Sequence, residues 1–144
     1  MIKAIFLDID GVVCLHSPKK PNDEETFDAD SCSRLKETID QTGCKLVLSS
    51  TWRLFDESIR DMLEQFKKFG ISKEHFLGKT PLHDERGEEI LEYLSEHPQI
   101  DTYIALDDQP FPRSKFPNDR LIMTQCDSGI TEEIKQLCIE KLST

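Results

Sequence analysis

Short apolar runs alternate along the chain with segments in which apolar residues recur every three or four positions. The apolar runs predict five strands, at residues 2–7, 45–48, 75–77, 102–106 and 121–123. The periodic segments predict four helices, at residues 31–41, 56–69, 85–96 and from 132 onward. Gly43 and Gly70 are predicted to end helices, and Gly78 is predicted to form a turn. Asp84 and Thr131 are predicted to cap the starts of helices.

Strands that alternate with helices favour βαβ units, in which parallel strands form one sheet with helices on both faces. The polar segment 14–27, with Pro18 and Pro21, is predicted to be a loop. A chain of 144 residues is expected to form one domain, over residues 1–144. Ligands of such sheets bind at the carboxyl ends of the strands, so the polar residues there are the candidate functional residues.

Composition narrows the classes of function. The net charge of −10 and the pI near 4.8 disfavour non-specific binding to nucleic acid or to anionic membranes. No apolar run approaches the length of a membrane span and the N-terminus lacks a signal-peptide pattern, so a cytoplasmic protein is expected. The five cysteines form no C-x-x-C pair and none precedes an arginine by six positions, which argues against a zinc site and a cysteine-based tyrosine phosphatase.

Acidic residues are concentrated at two predicted strand ends, where Asp8 and Asp10 follow the first strand and Asp107 and Asp108 follow the fourth. Two like charges a few ångströms apart repel by about 4 kcal/mol at an effective dielectric constant of about 20, which a bound cation would relieve. An all-oxygen site suits Mg²⁺, and Mg²⁺ in turn suits a phosphate ligand. The same edge of the sheet can supply the nucleophile and the proton donor that phosphoryl transfer requires.

Three segments carry a resemblance to a known family. Asp8-Ile9-Asp10-Gly11-Val12 resembles the first motif of the haloacid-dehalogenase-like (HAD) phosphatases, Leu46-Val47-Leu48-Ser49 the second and Ile104-Ala105-Leu106-Asp107-Asp108 the fourth. The segments occur in the family's order, each at a predicted strand end, and the resemblance spans about residues 1–142. It implies an α/β fold, a three-layer Rossmann-like sandwich with a mainly parallel sheet, and Mg²⁺ as the cofactor.

The resemblance also implies roles for these residues. Asp8 would attack phosphorus as the nucleophile, and Asp10 would protonate the leaving oxygen and then activate water. Ser49 would bind the phosphoryl oxygens, with Ser50 as the alternative. The residues of the metal site would be Asp8, Asp10 (through its backbone carbonyl), Asp107 and Asp108.

The third motif of the family places a lysine or an arginine at a helix start, and Arg86 is the preferred candidate. There its side chain and the helix dipole would both face the phosphate. Lys79 is the alternative, and Arg86 could instead pair with Glu89 on the helix surface. Asp107 would either bind the metal through water or hold this basic residue.

A Trp-Arg pair follows the second motif, as in a subgroup of small phosphatase-like domains that accompany nucleic-acid repair enzymes. The segment Arg86-Gly87-Glu88-Glu89-Ile90 is a second point of resemblance to that subgroup. Trp52 and Arg53 are therefore candidate substrate contacts, with core packing and a surface ion pair as the alternatives. His16 follows the first motif, and a surface position is the favoured interpretation for it.

The expected function is hydrolysis of a phosphomonoester through an aspartyl-phosphate. The gaps between the motifs are too short for a cap domain, so the phosphate would be an accessible one, on a small molecule, a phosphoprotein or a nucleic-acid end. The alternative function is a phosphate-binding or regulatory module with little turnover. A second subunit could also close the site, so a homo-oligomer is a further expectation to test.

Overall fold

The computed structural model describes residues 2–16 and 26–143. Within them, five strands form one sheet: β1 (Ile2–Leu7), β2 (Lys45–Leu48), β3 (Phe76–Lys79), β4 (Ile100–Asp107) and β5 (Leu121–Met123). The α-helices packed on the sheet are α1 (Ala29–Thr42), α2 (Asp56–Lys67), α3 (Arg86–Glu96) and α4 (Glu132–Leu142). Short 3-10 helices lie in the connections, at Thr51–Leu54, Lys73–His75 and Asn118–Arg120.

The sheet is entirely parallel, with the strand order β3-β2-β1-β4-β5. At its centre, Leu7 of β1 is in register with Leu48 of β2 on one side and with Leu106 of β4 on the other. The strand order changes direction between β1 and β4, and at such a point a crevice opens beyond the carboxyl ends of the strands. The prediction of an α/β fold with a parallel sheet is confirmed.

Alternate residues of the central strand face opposite sides of the sheet, and both sides are buried. Ile5 and Leu7 pack with apolar residues of α1, α2 and α4, whereas Ala4 and Phe6 pack with α3 and with the segment after β4. All four of these side chains are fully buried. The helices on both faces confirm the predicted three-layer sandwich.

Capping residues define several helix ends. Asp28 accepts the amide of Ser31 at 2.9 Å at the start of α1, and Thr131 accepts the amide of Ile134 at 3.2 Å at the start of α4. Gly43 ends α1 with a φ of 73°, a left-handed conformation that glycine adopts without steric cost. The predicted stop at Gly43 and the predicted cap at Thr131 are therefore confirmed.

Other predicted limits were wrong by a few residues. Strand β4 runs over Ile100–Asp107 and not 102–106, because Ile100 pairs with Ile2 of β1 at one end and Asp107 pairs with Met123 of β5 at the other. Gly78, predicted as a turn, lies inside β3, where pairing with β2 holds the backbone extended. Helix α3 begins at Arg86, and Glu85 rather than Asp84 takes the N-cap position without a side-chain hydrogen bond.

No cap domain occurs in the part of the chain that the structure describes, in agreement with the sequence. The predicted loop over residues 14–27 falls mostly on residues 17–25, which lie outside the described residues. Of the described helices, none has both the length and the apolar character that a membrane span requires. The single domain and the cytoplasmic location stay predictions.

Candidate active site

Polar residues follow or end three neighbouring strands at the carboxyl edge of the sheet. Asp8 follows β1 and Ser49 follows β2, while Asp107 is the last residue of β4. The amides of Asp8 and Ser49 donate to the carbonyls of Leu106 at 3.0 Å and Leu7 at 2.9 Å, so the parallel pairing continues past the strands. The three side chains therefore start from adjacent points on one edge.

The chain turns sharply after β1. The carbonyl of Ile9 accepts the backbone amides of residues 12–14 at 3.0–3.2 Å, and Gly11 has a φ of 80°. A Cβ at Gly11 would collide with the carboxylate of Asp108, so the glycine permits both the left-handed turn and the close approach of Asp108. The turn returns Asp10 to the cavity beyond the strand ends.

A cavity of about 360 Å³ opens at this edge of the sheet. It brings together five of the predicted site residues, Asp8, Asp10, Arg86, Asp107 and Asp108. The sequence analysis missed four further lining residues, Thr51, Gln109, Pro110 and Phe111. Three of these directly follow the acidic pair at the end of β4, and this position beyond a strand end was the signal that could have identified them.

Arg86 supplies positive charge to the acidic side of the cavity. It is the first residue of α3, and its Nη1 lies 3.0 Å from Asp8 Oδ1 and 2.8 Å from Asp107 Oδ2. The alternative cation, Lys79, donates from Nζ to the backbone carbonyl of Arg53 at 3.3 Å and does not line the cavity. The structure thus places Arg86, and not Lys79, between the two carboxylates.

The acidic cluster is short of positive charge even with Arg86 in place. One carboxylate oxygen from each of Asp8, Asp107 and Asp108 lies within 4.8 Å of the others. Burial, followed by the charge of Asp107, raises the pKa of Asp8 to about 8, although Arg86 opposes this shift. Burial also raises the pKa of Asp107, again against the effect of Arg86. A divalent cation that prefers carboxylate oxygens fits this set of donors.

Two serines follow β2, and the structure gives them different surroundings. Ser49 is 1% exposed, lies beside Asp8 on the strand edge, and its hydroxyl has no hydrogen-bond partner among the described residues. Ser50 Oγ instead accepts the amide of Trp52 at 3.2 Å and caps the 3-10 helix Thr51–Leu54. A buried hydroxyl without a partner costs about 1–3 kcal/mol, so Ser49 is the freer of the two to bind a ligand oxygen.

Arg53 is buried and does not line the cavity. Its side chain is 3% exposed, and it donates to the carbonyls of Thr80 and Ser50, both at 3.0 Å. Its Nη2 also lies 2.8 Å from Oε2 of Glu89, which accepts the amide of His83 at 2.9 Å. These contacts tie the segments after β2 and β3 to the first turn of α3. These contacts are typical of an arginine that stabilises the fold. The sequence did not reveal Glu89 as the buried acidic partner of Arg53.

Trp52 and His16 also lie outside the cavity lining. Trp52 is 7% exposed and packs against Phe27, with ring centroids 5.5 Å apart, while its indole N–H faces the Asp10 carboxylate. His16 is exposed, and its amide donates to the carbonyl of Cys126 at 2.8 Å. The structure thus brings Trp52 to a candidate catalytic group, and leaves His16 at the surface.

A comparison with protein families finds a match over residues 4–134 to the family described as HAD domain in Swiss Army Knife RNA repair proteins. The matched segment runs from β1 into α4 and contains every residue that lines the cavity. Neither curated proteins nor solved structures give a match. The family match confirms the resemblance found in the sequence and supports a HAD-like, phosphate-related function.

Proposed function

Because the chain belongs to the family of HAD domains in Swiss Army Knife RNA repair proteins, we propose that it is a Mg²⁺-dependent phosphomonoesterase that works through an aspartyl-phosphate. One observation carries the proposal. Asp8 and Asp10, two residues apart, line one cavity together with Arg86 and a second acidic pair. These groups match the nucleophile, the proton donor and the charge neutralisation that phosphoryl transfer needs.

Asp8 is the proposed nucleophile. Its carboxylate oxygen forms a bond to phosphorus while the bond from phosphorus to the leaving oxygen breaks, and Asp10 donates its proton to that oxygen. A water molecule then attacks the phosphorus of the aspartyl-phosphate, and Asp10 takes the proton of this water. The bond between Asp8 and phosphorus breaks, inorganic phosphate leaves, and both carboxyl groups return to their starting states.

The acidic cluster is the proposed Mg²⁺ site. The carboxylates of Asp8 and Asp108 and the backbone carbonyl of Asp10 would hold the ion, in keeping with the close carboxylate oxygens. Asp107 would act through a water or as the partner of Arg86, which it contacts at 2.8 Å. Bound Mg²⁺ would neutralise the negative charge of the cluster and of the phosphate. The pKa of Asp8 is raised chiefly by burial and then by the charge of Asp107, and a bound cation would offset both effects by stabilising the ionised carboxylate.

Arg86 and Ser49 would bind the phosphoryl oxygens. Arg86 stands at the start of α3, where its guanidinium and the positive end of the helix dipole act in the same direction. Ser49 offers a buried hydroxyl with no partner among the described residues. Ser50 would support the site indirectly, through its hydrogen bond to the Trp52 amide.

The proposed substrate is an accessible phosphate, and a nucleic-acid end is the first candidate because the family description refers to RNA repair proteins. The absence of a cap over the described residues is compatible with a large substrate. A net charge of −10 opposes binding along a polyanionic backbone but does not oppose recognition of one terminal phosphate in a local pocket. A phosphoprotein and a small phosphate ester are the other candidates.

The direct test is hydrolysis of p-nitrophenyl phosphate with Mg²⁺ and after its removal with EDTA. The same assay would then use oligonucleotides with 3′- or 5′-phosphates, phosphopeptides and small esters. Asp8→Asn is expected to lower kcat by about three orders of magnitude or more, since the nucleophile is lost. Asp119→Asn, at an exposed position of the 3-10 helix Asn118–Arg120, is the matched control and should keep full activity.

Two results would overturn parts of the proposal. Full activity in Asp8→Asn would exclude the aspartyl-phosphate mechanism. Phosphate binding without turnover of any of these esters would identify a phosphate-binding or regulatory module instead.

A further inference from the structure

Trp52 makes a polar contact with Asp10, and this contact has no role in the proposed mechanism as described above. The indole Nε1 lies 3.3 Å from Oδ1 and 3.3 Å from Oδ2 of Asp10, so one N–H is shared between the two carboxylate oxygens. The contact joins residues 42 positions apart in the sequence. It is therefore built by the tertiary fold and does not follow from local chain geometry.

The indole is held in place from several sides. The Trp52 amide donates to Ser50 Oγ at 3.2 Å, and the ring packs against Phe27 at 5.5 Å between centroids. Phe27 in turn packs edge-to-face against Phe66 at 5.0 Å, in the main core. Because the ring is 7% exposed and anchored in this way, the direction of its N–H is fixed by packing.

An indole N–H donates a hydrogen bond and cannot accept one. When Asp10 is ionised, either oxygen can accept from Trp52. When Asp10 is protonated, the oxygen without the proton accepts from Trp52, and the O–H cannot be directed at the indole. The proton is then left free to face the cavity that Asp10 lines.

We propose that Trp52 is a positioning residue, which holds the Asp10 carboxyl group so that its proton faces the leaving oxygen. This inference rests on the proposed function, in which Asp10 alternates between acid and base. The shared hydrogen bond is available in both protonation states, so Asp10 needs no reorientation between the two half-reactions.

The first test is Trp52→Phe, which keeps an aromatic ring and removes the donor. The leaving oxygen of an alkyl phosphate needs a proton, whereas p-nitrophenolate can leave without one. We therefore expect kcat/KM to fall by about tenfold or more for an alkyl phosphate, part of the 10²–10⁴-fold that general acid catalysis contributes. For p-nitrophenyl phosphate the fall should be no more than about threefold. In an Asp10→Asn background, Trp52→Phe should no longer distinguish the two esters, because the acid is already absent.

The second test does not depend on turnover. The chain has one tryptophan, so the indole N–H gives a single ¹H–¹⁵N resonance. Asp10→Ala should shift this resonance, whereas Asp119→Ala, at an exposed position, should leave it unchanged. If Trp52→Phe does not fold, benzothienylalanine at position 52 replaces the N–H by sulfur in a ring of nearly the same shape, and the ester comparison is made with that protein.

The outcomes separate this inference from the proposed function. Equal losses for both esters, or an indole resonance unmoved by Asp10→Ala, would reduce Trp52 to a packing residue and overturn the inference alone. Hydrolysis that does not depend on Asp8, or no hydrolysis at all by the wild-type protein, would overturn the proposed function and this inference with it.

Discussion

Replacing Arg53 with alanine should destabilise the fold itself. The substitution removes two 3.0 Å hydrogen bonds to the carbonyls of Thr80 and Ser50, together with the 2.8 Å ion pair to Glu89. It leaves the Glu89 carboxylate, whose side chain is 7% exposed, without its ion-pair partner, although the His83 amide still donates to it. The contacts that fix the start of α3 are lost at the same time.

The expected magnitude follows from the burial of both partners. Removing one partner of a buried ion pair costs about 3–5 kcal/mol, because the other charge stays buried and uncompensated. In a chain of 144 residues, a loss of this size should lower Tm by about 10 °C or more. The proposed phosphatase activity should also decrease, since Glu89 and Arg86 lie on the same turn of α3.

Urea denaturation followed by circular dichroism would measure the loss. Arg60→Ala is the matched control, an exposed arginine on α2 whose replacement should change stability by no more than about 0.5 kcal/mol. Adding Glu89→Gln to Arg53→Ala should recover part of the loss, because it removes the uncompensated charge. An Arg53→Ala protein of wild-type stability with a raised KM would refute this reasoning and favour a substrate contact at Arg53.

Two further predictions concern the proposed metal site. Gly11→Ala should cost about 1–3 kcal/mol through its φ of 80° and should weaken Mg²⁺ binding in calorimetry, because the new Cβ displaces Asp108. Gly43→Ala is its control, with a similar φ of 73° but open space around the Cβ, so Mg²⁺ affinity should be unchanged there; equal losses of affinity would contradict the idea. Burial and the charge of Asp107 raise the pKa of Asp8 from 3.8 to about 8, so the contribution of Asp8 to metal-free stability should be present in full below pH 4 and should be lost as the pH rises to about 8. Mg²⁺ binds the ionised form, so the increase in Tm on adding Mg²⁺ should be larger at pH 8.5 than at pH 5, and equal increases would contradict this.

Much of the fold could be predicted because its determinants are local. The apolar runs at 2–7 and 45–48 are bounded by polar residues, and the structure places β1 and β2 at the same positions. The end of β3 could not be predicted in this way. Gly78 by itself favours a turn, and only its pairing with β2 holds its backbone extended. Such pairing depends on residues far away in the sequence.

The candidate site divides in the same way. The proximity of Asp8 and Asp107 could be predicted from the sequence. Both residues lie at strand ends, and the carboxyl ends of parallel strands meet at one edge of the sheet. The surroundings of Trp52 and Arg53 could not be predicted, since side-chain partners depend on how separate segments pack. The local sequence around Trp52 and Arg53 does not determine whether these side chains contact a substrate or, as observed, Asp10 and Glu89.

The register of β1 has a consequence for the assembly of the molecule. Leu7 pairs with Leu48, about 40 residues later, and with Leu106, about 100 residues later. Contacts between such distant parts of a chain form slowly during folding. During synthesis, Asp107 and Asp108 are added about 100 residues after Asp8. A chain that ends before Asp107 therefore lacks the acidic cluster, and Mg²⁺ binding at the proposed site would report that β4 has joined β1 in the sheet.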